Sequence, residues 1–102
     1  MSYKDFLEAK FKTLDADNPI DVVVEDIVLE LRKEARKYNG DNVIANFDGF
    51  VADKENPSMF TANFSIRIKK DGKWDCTTLI EAYCEWAKKP GAIFHVWEIE
   101  EK

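Results

Sequence analysis

Apolar positions change period once along this chain, from helical spacing before residue 40 to alternation after it. Ser2 to Leu14 reads as a first helix, with Ser2 as cap and Tyr3, Phe6, Leu7, Phe11 and Leu14 on one face. Asp15 to Asp17 forms a connector. Asn18-Pro19 then opens the strongest helix, because Asn caps well and Pro suits the first helical position. Ile20, Val23, Val24, Ile27, Val28, Leu31, Ala35 and Tyr38 recur at helical spacing. Acids gather at its start and bases at its end, complementing the helix dipole, and Asn39-Gly40 supplies the stop. Glu34 intrudes on the apolar arc and should sit where the helix leaves the core. Two helices joined by a short loop imply an antiparallel pair.

After Gly40, Val43, Ala45, Phe47 and Val51 alternate with Asn46, Asp48 and Ala52, leaving Ile44 and Phe50 off the core side. Phe60, Ala62, Phe64, Ile66 and Ile68 alternate with polar residues through a second strand. Between the two, Asp53 to Ser58 is a polar loop. Lys70-Asp71-Gly72 turns the chain. A three-residue bulged loop there would set Trp74 opposite Ile68 and Cys76 opposite Ile66, facing the core, and is preferred to a two-residue loop, which would set Asp75 against Ile68. The last strand, Ala92 to Glu100, is apolar on both sides: Ile93, Trp97 and Ile99 on one, Phe94 and Val96 on the other. Such a strand is buried on both faces or carries an interface.

Trp74 to Gly91 admits two readings. As a strand, Trp74, Cys76, Thr78, Ile80, Ala82, Cys84 and Trp86 share a side, with Leu79, Tyr83 and Ala87 misplaced. As a helix from Leu79, the segregation of apolar from charged residues improves. Thr78 to Glu81 forms a capping box, Lys88 and Lys89 suit the helix end, and Pro90-Gly91 stops it. The helix is the preferred reading. The expected fold is α+β over a single domain, residues 1–102: two N-terminal helices, then a mostly antiparallel sheet of three to four strands with a third helix before the last strand. The alternative is two helices followed by a four-stranded meander. In layout that alternative resembles the cystatin-like and NTF2-like cones, in which a curved sheet wraps a helix.

Twenty acidic against fifteen basic residues give a net charge of −5, which disfavours nonspecific contact with nucleic acid or an anionic membrane. A basic hairpin tip (Arg67, Lys69, Lys70, Lys73) and an acidic, DNA-mimicking helix start (Asp15 to Glu30) are weaker readings of the charge pattern. No segment approaches a membrane span, and the first residues do not read as a signal peptide. Cys76 and Cys84 would lie about 26 Å apart in a strand or about 12 Å in a helix, too far for a disulfide. Two buried thiols fit a reducing, cytoplasmic setting.

Chemistry is sparse. His95 is the one histidine, and neither cysteine has metal-site spacing. Glu81 and Glu85 could divide acid and base roles one helical turn apart, but solvation explains them better. A Cys–His pair would need an activated thiolate that nothing supplies. No phosphate loop, nucleophile elbow or calcium loop occurs. No cofactor, metal or catalytic residue is therefore expected. The expectation is a non-catalytic protein-binding module: a small acidic inhibitor, adaptor or immunity-type protein, of the kind phage and mobile elements encode against host defence. Its partner surface would be Val22, Leu29, Phe50 and Trp97 with the acids Asp21, Glu25 and Asp48, and a homodimer is the nearest variant. The alternative is a cone-shaped ligand-binding protein or enzyme with a pocket around Tyr83, Trp86, His95 and Trp97.

Overall fold

The structure is a computed structural model that describes residues 3–14, 20–86 and 94–102. The expectations placed on Ser2, Asp15 to Asp17, Asn18-Pro19, Lys88 to Gly91 and Ile93 lie outside the described residues. Two helices, α1 (Tyr3–Leu14) and α2 (Ile20–Asn39), precede four strands, β1 (Val43–Ala52), β2 (Met59–Lys70), β3 (Lys73–Trp86) and β4 (Phe94–Glu101). The strands pair antiparallel in chain order, a meander with β1 and β4 at its edges. This is the α+β class. The third helix expected from Leu79 is absent: residues 79–86 continue β3. A capping box and an amphipathic arc are local preferences, and pairing on both sides, with β2 and β4, overrides them.

Both helices lie on one face of the sheet, α1 against β4 and α2 against β1. One contiguous core joins Leu7 and Phe11 of α1, Val23, Ile27, Leu31 and Ala35 of α2, and the helix-facing residues of the strands. Phe11 meets Phe94 edge to face at 6.4 Å. The Glu101 carboxylate accepts a 3.0 Å bond from the Lys4 amide, satisfying a donor in the first turn of α1. Arg36 O accepts the Gly40 N–H, closing α2. Glu34 is nearly buried, 7 % exposed, with its carboxylate 3.1 Å from Lys37 Nζ at the core margin. Tyr38, expected in the core stripe, is exposed on the last turn.

Three single-residue bulges account for most of the departures from simple alternation. An extra residue moves every later side chain to the other face. In β1 the register jumps past Asp48, so Phe47 sits opposite Phe64 but Phe50 sits opposite Ala62. Phe50 therefore joins the helix side, against Phe47 at 4.8 Å and Phe60 at 5.5 Å, and Val51 turns outward. The expectation that Val51 was core and Phe50 outward is reversed. Gly49, at φ +113, makes the bulge accessible, and Asn63 Nδ2 donates to its carbonyl at 3.3 Å.

In β3 the hairpin turn has two residues, Asp71 and Gly72, both left-handed. That geometry matches the twist of the flanking strands, so it wins over the three-residue loop. Asp75 then lies opposite Ile68, Trp74 opposite Lys69 and Cys76 opposite Arg67, and Trp74 and Cys76 are exposed. The conflict that counted against this turn is repaired at Thr77, which is skipped in the pairing and donates its hydroxyl to Ile66 O at 3.3 Å. Beyond it, Ile80, Ala82 and Cys84 return to the core. In β4 the skipped residue is Trp97: Phe94 and Val96 before it and Ile99 after it all face the helices. The doubly apolar pattern of this strand reflects a change of phase, not burial on both faces.

A methyl group added at Gly49 meets no atom within 4 Å, so its cost is conformational alone. Gly49→Ala is expected to lose about 1–3 kcal/mol in urea unfolding, the typical cost of holding an L-residue in a sparsely populated backbone region. An unchanged midpoint would mean that the bulge does not hold this backbone.

Candidate functional site

The tight connection from Asn39 to Val43 makes α2 and β1 run antiparallel. Because β1 is an edge strand, an open groove of about 490 Å³ remains between the helix and the strand. Val24, Val28 and Leu29 form its helix wall, and Ala45, Phe47 and Phe50 its strand wall. Asp21 and Glu25 stand at the Phe50 end, and Arg32 and Asn46 at the other. Phe50 is 47 % and Leu29 46 % exposed, large apolar side chains left partly in water. Arg32 packs its stem along the wall, and its Nε is buried without a hydrogen-bond partner among the described residues. An unpaired buried donor is uncommon and marks a place where an acceptor is missing.

Of the seven residues expected at a partner surface, the groove gathers four: Asp21, Glu25, Leu29 and Phe50. Val22 is exposed one helical turn before Glu25, beside the groove rather than in it. Asp48 is the exposed, skipped residue of the β1 bulge, two positions from Phe50. Trp97 belongs elsewhere. It is 52 % exposed, with its ring 5.7 Å from Tyr83 on the sheet face that carries no helix. Sequence reading passed over Arg32, Val28 and Phe47. Arg32 follows Val28 by four residues and was absorbed into the dipole pattern, although its position on the same stripe was readable.

The sheet also divides the alternative pocket. Trp86 stacks on Phe60 at 4.4 Å on the helix side, whereas Tyr83 and Trp97 lie on the open face. His95 is exposed opposite Glu85. Cys84 is buried toward the helices and pairs in register with Val96, so it does not meet His95 across the sheet. Glu81 and Glu85 sit on one strand and are not a helical turn apart. Instead Glu81 faces Glu100 across the β3–β4 pair. Like charges opposite each other are unfavourable. Tyr83 Oη lies 2.8 Å from Glu81 and 3.0 Å from Glu100, and Lys102 Nζ 2.9 Å from Glu81. The bond from Lys102 and then that from Tyr83 hold the Glu81 carboxyl below its ordinary range, and the two carboxylates push the Tyr83 phenol up. This cluster explains itself as strand pairing.

Among the described residues, no group of histidine, cysteine, aspartate or glutamate side chains is placed to hold a metal ion. None of the described helices is long and apolar enough to cross a membrane. The fold and groove define a two-helix, four-stranded α+β protein with a partly exposed apolar cleft between α2 and β1. Comparison with protein-family models, curated proteins and solved structures finds no match.

A carboxyl held low in the fold stabilises it above the unfolded pKa, and that contribution is lost as pH falls through the folded value. Wild type should therefore exceed Lys102→Ala in stability at neutral pH, with the gap closing in acid. The Glu81 titration midpoint should rise toward 4.5 in the variant. Carboxyl-carbon NMR titration together with urea unfolding at both pH extremes measures this, and a gap independent of pH would contradict the assignment.

Proposed function

We propose that this protein is a non-catalytic protein-interaction module, an inhibitor or adaptor, that works through the α2–β1 groove. The observation that carries the reading is the groove itself: apolar walls, an acidic end and a cationic end, with Phe50 and Leu29 half in water. Interface hot spots combine an aromatic or aliphatic anchor with flanking polar groups that fix register, and this groove offers both. It is open along its length, so a small molecule would stay largely wet, whereas a protein segment can cover it. The acidic and cationic ends of the groove favour a partner segment that carries charges of both signs. A cytoplasmic setting remains part of this proposal.

Photo-crosslinking tests the location. A benzophenone side chain at position 50 should capture a protein from native extract, and the same group at position 97 should capture little. Phe50→Asp in a still-folded variant should weaken partner binding by about 2 kcal/mol or more, the scale of a hot-spot loss. Capture from position 97 alone, with Phe50→Asp binding normally, would move the site to the opposite face of the sheet.

A further inference from the structure

The stripe of α2 that walls the groove carries Asp21, Glu25, Val28, Leu29 and Arg32, and Arg36 continues the same side of the helix one turn beyond the groove. Asp21 and Glu25 are like charges four residues apart, and so are Arg32 and Arg36. Pairs of that kind weaken a helix slightly. The dipole explains the order of signs but leaves these four unmatched: among the described residues they form no ion pair, while Glu30 on the opposite flank takes both Lys10 and Lys33. The arrangement is symmetric. Asp21 and Arg36, Glu25 and Arg32, and Val28 and Leu29 are each equidistant from a point between residues 28 and 29.

We propose that the groove's occupant is a second copy of this chain, with the two α2 helices packed antiparallel about a two-fold axis near Val28 and Leu29. The proposal rests on the reading of the groove as a protein-docking site. In this arrangement Asp21 faces Arg36 and Glu25 faces Arg32 of the second copy, each pair twice. Leu29 of each helix seats against Val28 of the other, at the centre of the contact. An isologous contact must be self-complementary, and this stripe is so in both charge and apolarity. The net charge of −5 on each copy opposes association at a distance, but physiological salt screens that repulsion beyond about 8 Å, while the contact pairs act inside it. One helix face about 22 Å long makes a small interface, so the dimer should have a micromolar Kd.

Sedimentation velocity on the full chain tests this. Wild type should be dimeric at roughly 100 µM, well above a micromolar Kd. Asp21→Arg and Arg36→Asp alter exposed residues, and far-UV circular dichroism checks that each variant keeps its fold. Each alone places two like-charge contacts across the axis and should raise Kd about tenfold or more. The double variant should recover dimerisation. Mixing the two single variants should also recover it, because both contacts between them are then of opposite sign. A monomeric wild type at that concentration, or a double variant that associates no better than either single, overturns the proposal. The docking reading is judged separately: a monomer that still crosslinks to another protein from position 50 defeats only the second-copy occupant.

Discussion

Both helices of this protein cover the same side of one sheet, and that packing constraint governs everything else. In β1, β3 and β4 strict alternation would carry apolar side chains off the covered face partway along the strand, whereas β2 keeps one phase throughout. The chain solves this with one unpaired residue in each of three strands: Asp48, Thr77 and Trp97. Each shifts the alternation by one position, and each skipped residue is left to solvent or to a local contact. The core therefore stays continuous from Val43 to Ile99 although no simple period-two pattern spans β1, β3 or β4.

The same constraint makes the groove. Two helices cannot roof four long strands completely. α1 settles over β4 and α2 over β1, and α2 leaves the far half of the edge strand uncovered. The bulge at Asp48 then turns Phe50 back toward the helices at the point where cover runs out. An aromatic ring is thus delivered to the mouth of the cleft, held by Phe47 and Phe60. Were Asp48 paired as an ordinary strand residue, Phe50 would lie on the open face, and Val51 would take its place. Function as proposed here is a consequence of where the fold fails to bury what it has gathered.

Much of this was legible in the sequence. The two helices, the break at Gly40, the polar loop before Met59 and the long alternating β2 follow from periodicity alone, because each element keeps one phase from end to end. The third helix was wrongly expected because Leu79 and Tyr83, apolar residues on the open face of β3, complete a helical arc with Ile80, Ala82 and Trp86 when pairing is unknown. Val51, Phe50 and the two-sided β4 were misassigned because a bulge changes the phase within each of those strands. Bulges depend on pairing with a neighbour, which a single segment does not display. Glycine at position 49 was the available hint, since a glycine inside a strand often marks a bulge. Of the surface residues, Asp21, Glu25, Leu29 and Phe50 converge on the groove because helix stripes can be read from spacing. Trp97 does not, because its face depends on the bulge it forms.

The claim on which the account turns is that Phe50 belongs to the helix side of the sheet, and a side-chain NOESY spectrum addresses it most directly. The account predicts cross-peaks from the Phe50 ring to the rings of Phe47 and Phe60. Cross-peaks instead from Phe50 to Thr61 and Tyr83, with Val51 contacting Phe60, would mean that β1 keeps an unbroken alternation and that the groove has no aromatic wall at its acidic end.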